Sequence, residues 1–174
     1  MTSRCRIRAV ELALRGHPYD DLDEILDYWD AKRGDRFAPA RADIEPLDLK
    51  SAMSRIVLLD VIADPFDVRF RLVGTHVAGV QGFDATGISV RDMRPQEYAE
   101  LIFGHYAACV ERKAPSMHLI YLDTFGRSMS YARLALPLSE DAKTVTMLMA
   151  VSNRDQNSQD LRAYFEEMQQ LPVG

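Results

Sequence analysis

Residues 56–75, IVLLDVIADPFDVRFRLVGT, decide the fold of this chain. They read as two short strands joined at Asp64-Pro65-Phe66-Asp67, where proline pre-sets φ and the aspartates bond the turn backbone. Folded about that turn, Val61 faces Phe70 and Leu59 faces Leu72. Val57, Leu59, Val61, Phe70 and Leu72 then share one apolar face. On the other face Ile62 meets Arg69 and Asp60 meets Arg71, a structural ion pair. That charged face reads as the docking surface for an N-terminal helix, and on this reading a covered pair makes Arg71→Ala lower the melting temperature.

Upstream, residues 4–15 hold only a sparse helical stripe, Ile7, Val10 and Leu14, and residues 1–19 read as an N-terminal extension. A better signalled helix follows. Asp20 serves as its cap, acidic residues fill its first turn, and Lys32 and Arg33 precede the stop at Gly34. Leu22, Ile25, Leu26 and Trp29 give it a single apolar stripe, the expected docking face for the sheet and for a second copy of the chain. Residues 35–48 form a connector with two prolines and a short helix near Pro46.

Downstream, the glycine-rich run after Gly74 predicts short helical turns, and Pro95 opens a longer helix with Tyr98, Leu101, Ile102, His105, Tyr106 and Cys109 on one side. Three strands follow, over 116–122, 128–138 and 143–151, and then a helix from Asn157 or Ser158 with Leu161, Tyr164, Phe165 and Met168 in line. Residues 20–155 thus make one domain and 156–174 a C-terminal helix. The order suits an α+β fold, an antiparallel sheet with helices on one face and the two terminal helices covering the other.

Composition removes several function classes. At 174 residues the chain suffices for one core, and its net charge of −5 argues against a nucleic-acid partner. No apolar run approaches the ~20 residues of a membrane span, and the N-terminus has no continuous apolar segment of the secretory kind. Cys5 and Cys109 share no metal-binding spacing and fit reduced thiols, so the expected compartment is the cytoplasm. The acidic residues cluster at helix starts and turns, and nucleophile elbows, P-loops, dinucleotide glycines and HExxH are absent, so no enzyme is predicted.

Several strings resemble a proteobacterial single-domain branch of the PAS superfamily: Tyr28-Trp29, Lys32-Arg33-Gly34, Pro39-Ala40-Arg41, Asp43-Ile44, Pro46, Leu59-Asp60-Val61, Phe70-Arg71-Leu72-Val73-Gly74-Thr75, Gly82, Asp84, Thr86-Gly87 and Leu136-Pro137-Leu138-Ser139. The resemblance covers about residues 26–151. It implies a five-stranded antiparallel sheet cupping helices around a small pocket, and sensory or regulatory work, often in homodimers built on a helix before the sheet. The cysteine motif of the flavin photosensors is missing, since residues 74–93 contain no cysteine, so flavin–cysteine photochemistry is not expected. Only a helix follows the domain, which makes contact with an unidentified protein partner the expected output.

Candidate ligand-binding residues lie on the long helix and the next two strands. His105 is in the position from which some PAS domains ligate haem, although a core-edge histidine is the plainer reading. Tyr106, His118, Tyr121, Tyr131 and Arg133, among Met117, Met129, Met147 and Met149, suit the floor of an adaptable, mostly apolar pocket. Strand parity leaves open which of His118 and Tyr121 points inward. Two other readings stand beside the ligand sensor: a small enzyme using His105 or His118 as base, which would need a carboxylate partner in the cavity, and an interaction scaffold whose pocket has collapsed.

Overall fold

The computed structural model describes residues 6–124 and 126–170; Cys5 lies outside them. Among these residues a six-stranded antiparallel sheet is crossed on both faces by helices. In chain order the elements are β1 (Arg6–Leu12), α1 (Asp20–Arg33), β2 (Ile56–Ala63), β3 (Phe66–Val73), α2 (Thr75–Gln81), α3 (Gln96–Arg112), β4 (Ser116–Thr124), β5 (Arg127–Leu138), β6 (Met147–Ser152) and α4 (Ser158–Gln170). The sheet order is β1-β4-β5-β6-β2-β3. This is the expected α+β class, with one strand more than expected. The segment with the sparse helical stripe is that strand: β1 alternates exposed and half-buried residues from Arg6 to Val10 and pairs with β4 from Arg6↔Asp123 to Leu12↔Met117. The helical stripe of Ile7, Val10 and Leu14 is too sparse to hold a helix, but alternation suffices for an edge strand. Residues 6–12 therefore belong to the sheet and not to a separate extension.

The opening hairpin forms, but its register differs from the sequence reading. Ala63 pairs with Phe66 across a two-residue turn, Asp64-Pro65, and Leu59 pairs with Phe70. The shift is by two residues, so the side chains from Leu59 to Phe70 keep their faces. A bulge then intervenes, because Leu58 pairs with Leu72 and Arg71 has no opposite residue. The extra residue flips the rest of β3, so Val73 turns inward and Leu72 is left 48% exposed.

The inner face of the sheet carries α2, α3 and α4. The apolar stripes of α3 and α4 join Val57, Leu59, Val68, Phe70, Ile120, Leu122 and Leu148 in the larger core. The outer face carries α1, whose Leu22, Ile25, Leu26 and Trp29 pack on Leu58, Met117, Leu134, Leu136, Met149 and Val151. Here the C-terminal helix departs from expectation. It lies with α2 and α3 on the inner face, where Gln169 Nε2 donates to the Gln81 carbonyl of α2, and the outer face is covered by α1 together with Ala38, Ile44, Leu49 and Ala52 of the segment between α1 and β2.

Two details fix α1. It begins at Asp20 with Tyr19 as cap residue and no side-chain cap, so Asp20 does not have the capping role expected of it. Trp29 Nε1 donates to the Pro137 carbonyl at 2.8 Å. The four stripe residues are only 1 to 6% exposed in the single chain, which leaves none of that stripe for a second copy. Nor does α1 cover the Asp60–Arg71 pair. Arg71 Nη1 lies 3.4 Å from Asp60 Oδ2, but the side chains are 60% and 38% exposed, at the far end of β2 from the helix. Ion pairing across the hairpin is therefore a surface matter, worth at most about 1 kcal/mol.

Candidate functional site

Between the inner face of the sheet and the three helices lies a cavity of about 60 Å³, partly open to the surface. Its floor is Val57, Phe70, Tyr131, Arg133, Ala150 and Ser152; its roof is Tyr98, Ile102 and Tyr106 of α3. α2 and α4 close the side, through Val77, Val80, Leu161 and Phe165. The mouth lies at His76 and Val80, which also line a wider groove of about 240 Å³ between α2 and α4.

Parity along the strands decides which candidates reach this space. On β4 the even-numbered residues face inward with Ile120 and Leu122, so His118 is inside and Tyr121 outside. Tyr121 does not line the cavity; it lies under the guanidinium of Arg8 from β1, 3.8 Å from ring centroid to Cζ. On β5 Tyr131 and Arg133 face inward. The expected methionine lining is not found, because Met117, Met147 and Met149 face α1 on the other side of the sheet and, of the four, Met129 alone is in the inner core.

The polar groups form two linked sets. Tyr98 and Tyr131 share a buried hydroxyl–hydroxyl hydrogen bond of 2.6 Å. Arg133 is 5% exposed, lies over the Tyr106 ring at 4.6 Å, and contacts His105 Nδ1 through Nη2 at 2.6 Å. Behind it the rings of His105 and His118 stack, with centroids 3.6 Å apart and planes within 9°. His105 and His118 thus sit behind Arg133 and do not line the cavity themselves. With Nδ1 taken by Arg133 and the ring face against His118, His105 does not present itself as an axial ligand to the cavity.

Electrostatics follow from burial. Desolvation, with the Arg133 charge next, lowers His105 to about 2; the same two causes in the same order lower His118 to about 4. Both rings are neutral at pH 7. Burial raises the phenols of Tyr98, Tyr106 and Tyr131, which stay protonated. It also raises the Cys109 thiol to about 12, and an un-ionised thiol is a poor nucleophile. Among the described residues neither His105 nor His118 has a carboxylate partner in the cavity, the feature the enzyme reading required.

Sequence reasoning missed Arg55. This residue, just before β2, lines the cavity and donates through Nη1 to Asp21 of α1 at 2.9 Å and to the Ser152 carbonyl. Asp21 also accepts from the backbone N–H of Arg154 at 2.7 Å. The pair is closed off, with side chains 8% and 9% exposed, and it joins the cavity wall to α1. No local pattern signals a bond between residues 34 positions apart. Tyr98 was visible as part of the α3 stripe, but only the fold shows that its hydroxyl ends in the cavity.

Sequence comparison supports the class this geometry suggests. The sequence model of a family described as PAS domain matches residues 19–152, and the chain belongs to that family. No curated protein matches the sequence. Among solved structures, one described as "Flavin Analogue Sheds Light on Light-Oxygen-Voltage Domain Mechanism" is similar at 13% identity, over 71% of this chain and 92% of that one, with a TM-score of 0.48. Another, "Structure of an RNA-binding Light-Oxygen-Voltage Receptor", is similar at 14% identity over 95% of this chain, which spans 42% of that protein; the TM-score is again 0.48.

Proposed function

We propose that this chain is a non-catalytic sensory protein of the cytoplasm that takes a small molecule in the cavity between its sheet and α2, α3 and α4, and reports occupancy by contact with a protein partner. The strings resembling the proteobacterial single-domain PAS branch support the sensory part. The observation that carries the ligand is the cavity itself, apolar over most of its wall with a few convergent polar groups, Arg133, Tyr98, Tyr106 and Tyr131 among them. The route outward is Arg55, which touches the cavity at one end and Asp21 of α1 at the other. A homodimer, if formed, uses a surface other than the Leu22–Ile25–Leu26–Trp29 stripe, which is buried within one chain.

Native mass spectrometry of freshly purified protein tests the ligand. The expected result is a mass above that of the sequence, lost on denaturation and absent from Ala150→Leu, which fills the cavity floor. The same mass excess over the sequence mass in wild type and in a folded Ala150→Leu, or no excess in any wild-type preparation, would contradict the proposal.

A further inference from the structure

Two guanidinium groups line the cavity, and they differ in one respect. Arg55 is neutralised by the carboxylate of Asp21 at 2.9 Å. Among the described residues Arg133 has no carboxylate within ion-pair reach, and no Asp or Glu lines the cavity. An arginine keeps its charge in any protein environment, and a buried charge without a counter-charge is costly. Its neighbours do not supply one. His105 and His118 are neutral, the three tyrosines are protonated, and a phenol or imidazole offers only a dipole. Arg133 Nε moreover has no hydrogen-bond partner among the described residues, although the residue is 5% exposed and lines the cavity.

We infer that the ligand is a short monocarboxylate, with its carboxylate on Arg133 and its carbon chain directed along the apolar wall towards the mouth. This rests on the reading that the cavity takes a ligand, and it names the class. One negative charge is what the cavity lacks, because Arg55 already has its partner. The planar guanidinium fork matches a carboxylate, and the Tyr131 and Tyr106 side chains flank it. The rest of the lining, Val57, Phe70, Val80, Ile102, Leu161 and Phe165, suits a small apolar body and disfavours a multiply charged one. Size sets the upper bound. The cavity of about 60 Å³ equals roughly two waters' share of liquid volume, so it encloses little more than the carboxylate itself, and the short carbon chain runs into the groove of about 240 Å³ beside His76.

The test is calorimetric titration of the full chain with sodium propionate and sodium butyrate, against propionamide and sodium phosphate at matched ionic strength. Wild type should bind a carboxylate and ignore the amide and phosphate. Arg133→Met, which keeps the bulk and removes the charge, should abolish binding, and Arg133→Lys should weaken it roughly tenfold or more, since it keeps the charge but loses the fork. Circular dichroism of both variants establishes that they are folded. Should Arg133→Met fail to fold, Arg133→Lys alone decides. Equal binding of propionamide and propionate, preference for phosphate, or carboxylate binding that survives the change at Arg133 would overturn the class while leaving a ligand-binding cavity in place. Heat from none of the four probes would overturn the class, and native mass spectrometry then decides separately whether the cavity binds anything.

Discussion

At the scale of single residues, burial separates the charges that matter from those that do not. Arg55 and Asp21 form a closed pair, and breaking one partner of such a pair costs about 3–5 kcal/mol because the other is left buried and alone. Arg71 and Asp60 are exposed, and the exposed pair contributes at most about 1 kcal/mol. Arg55→Ala should therefore lower the denaturation midpoint sharply and Arg71→Ala barely, in urea titrations followed by circular dichroism. A larger loss for Arg71→Ala would reverse this assignment. The stacked histidines set a pH dependence. Both bind protons less readily folded than unfolded, so the unfolded chain takes up more protons as pH falls below about 6.5, the ordinary histidine value. Stability is then full above pH 6.5 and declines as pH falls, down to about pH 4 for the part due to His118 and to about pH 2 for the part due to His105. Around His118 stand Arg133 from β5, Arg112 from α3 and Glu11 from β1, the last favouring the charged ring. His118→Gln should flatten the decline; an unchanged slope would assign it to other groups.

At the scale of elements, the sequence carried periodicity well and pairing partners poorly. The stripes of α1, α3 and α4 and the strands from β2 to β6 were legible because each has a clear period and punctuation by glycine, proline or turn aspartates. The destination of each stripe was not legible, and α4 went to the inner face instead of the outer. Register was legible only in parity: a two-residue slip left the faces intact, but the bulge at Arg71, which turns Leu72 outward, has no local signal. The short strand β1 takes its place by pairing along the edge of β4. Of the candidate site, Tyr106, Tyr131 and Arg133 were found from their strands and helix, while Tyr121 failed on parity and Arg55 was hidden by distance in sequence. One close approach also belongs to this scale. A Cβ on Gly74 would collide with the Ser54 carbonyl and lie 2.8 Å from the Ile56 carbonyl oxygen, where the chain leaves β3 for α2. Gly74→Ala should destabilise by about 1–3 kcal/mol, the usual range for forced overpacking, measured as a fall in thermal midpoint. An unaltered midpoint would mean that the loop before β2 can yield.

For the molecule as a whole, the proposed function requires a buried event to reach the surface across the layers. The sheet separates the cavity from α1, yet Arg55 reaches both, and Asp21 fastens α1 to the end of β6 through Arg154 as well. A ligand that draws on Arg133 and shifts the floor at Ser152 acts directly on the carbonyl that Arg55 holds. On the proposed reading α1 is the reporter of occupancy, while α2 and α4 flank the cavity and the groove beside it. Hydrogen–deuterium exchange of the full chain, with and without saturating sodium propionate, tests this most directly, because exchange reads local opening element by element. Binding should slow exchange in α2, α3 and α4, together with a change in α1 that disappears in Arg55→Gln while the effect at the cavity remains. Protection confined to the cavity elements, with α1 unchanged in the wild-type chain, would contradict this coupling.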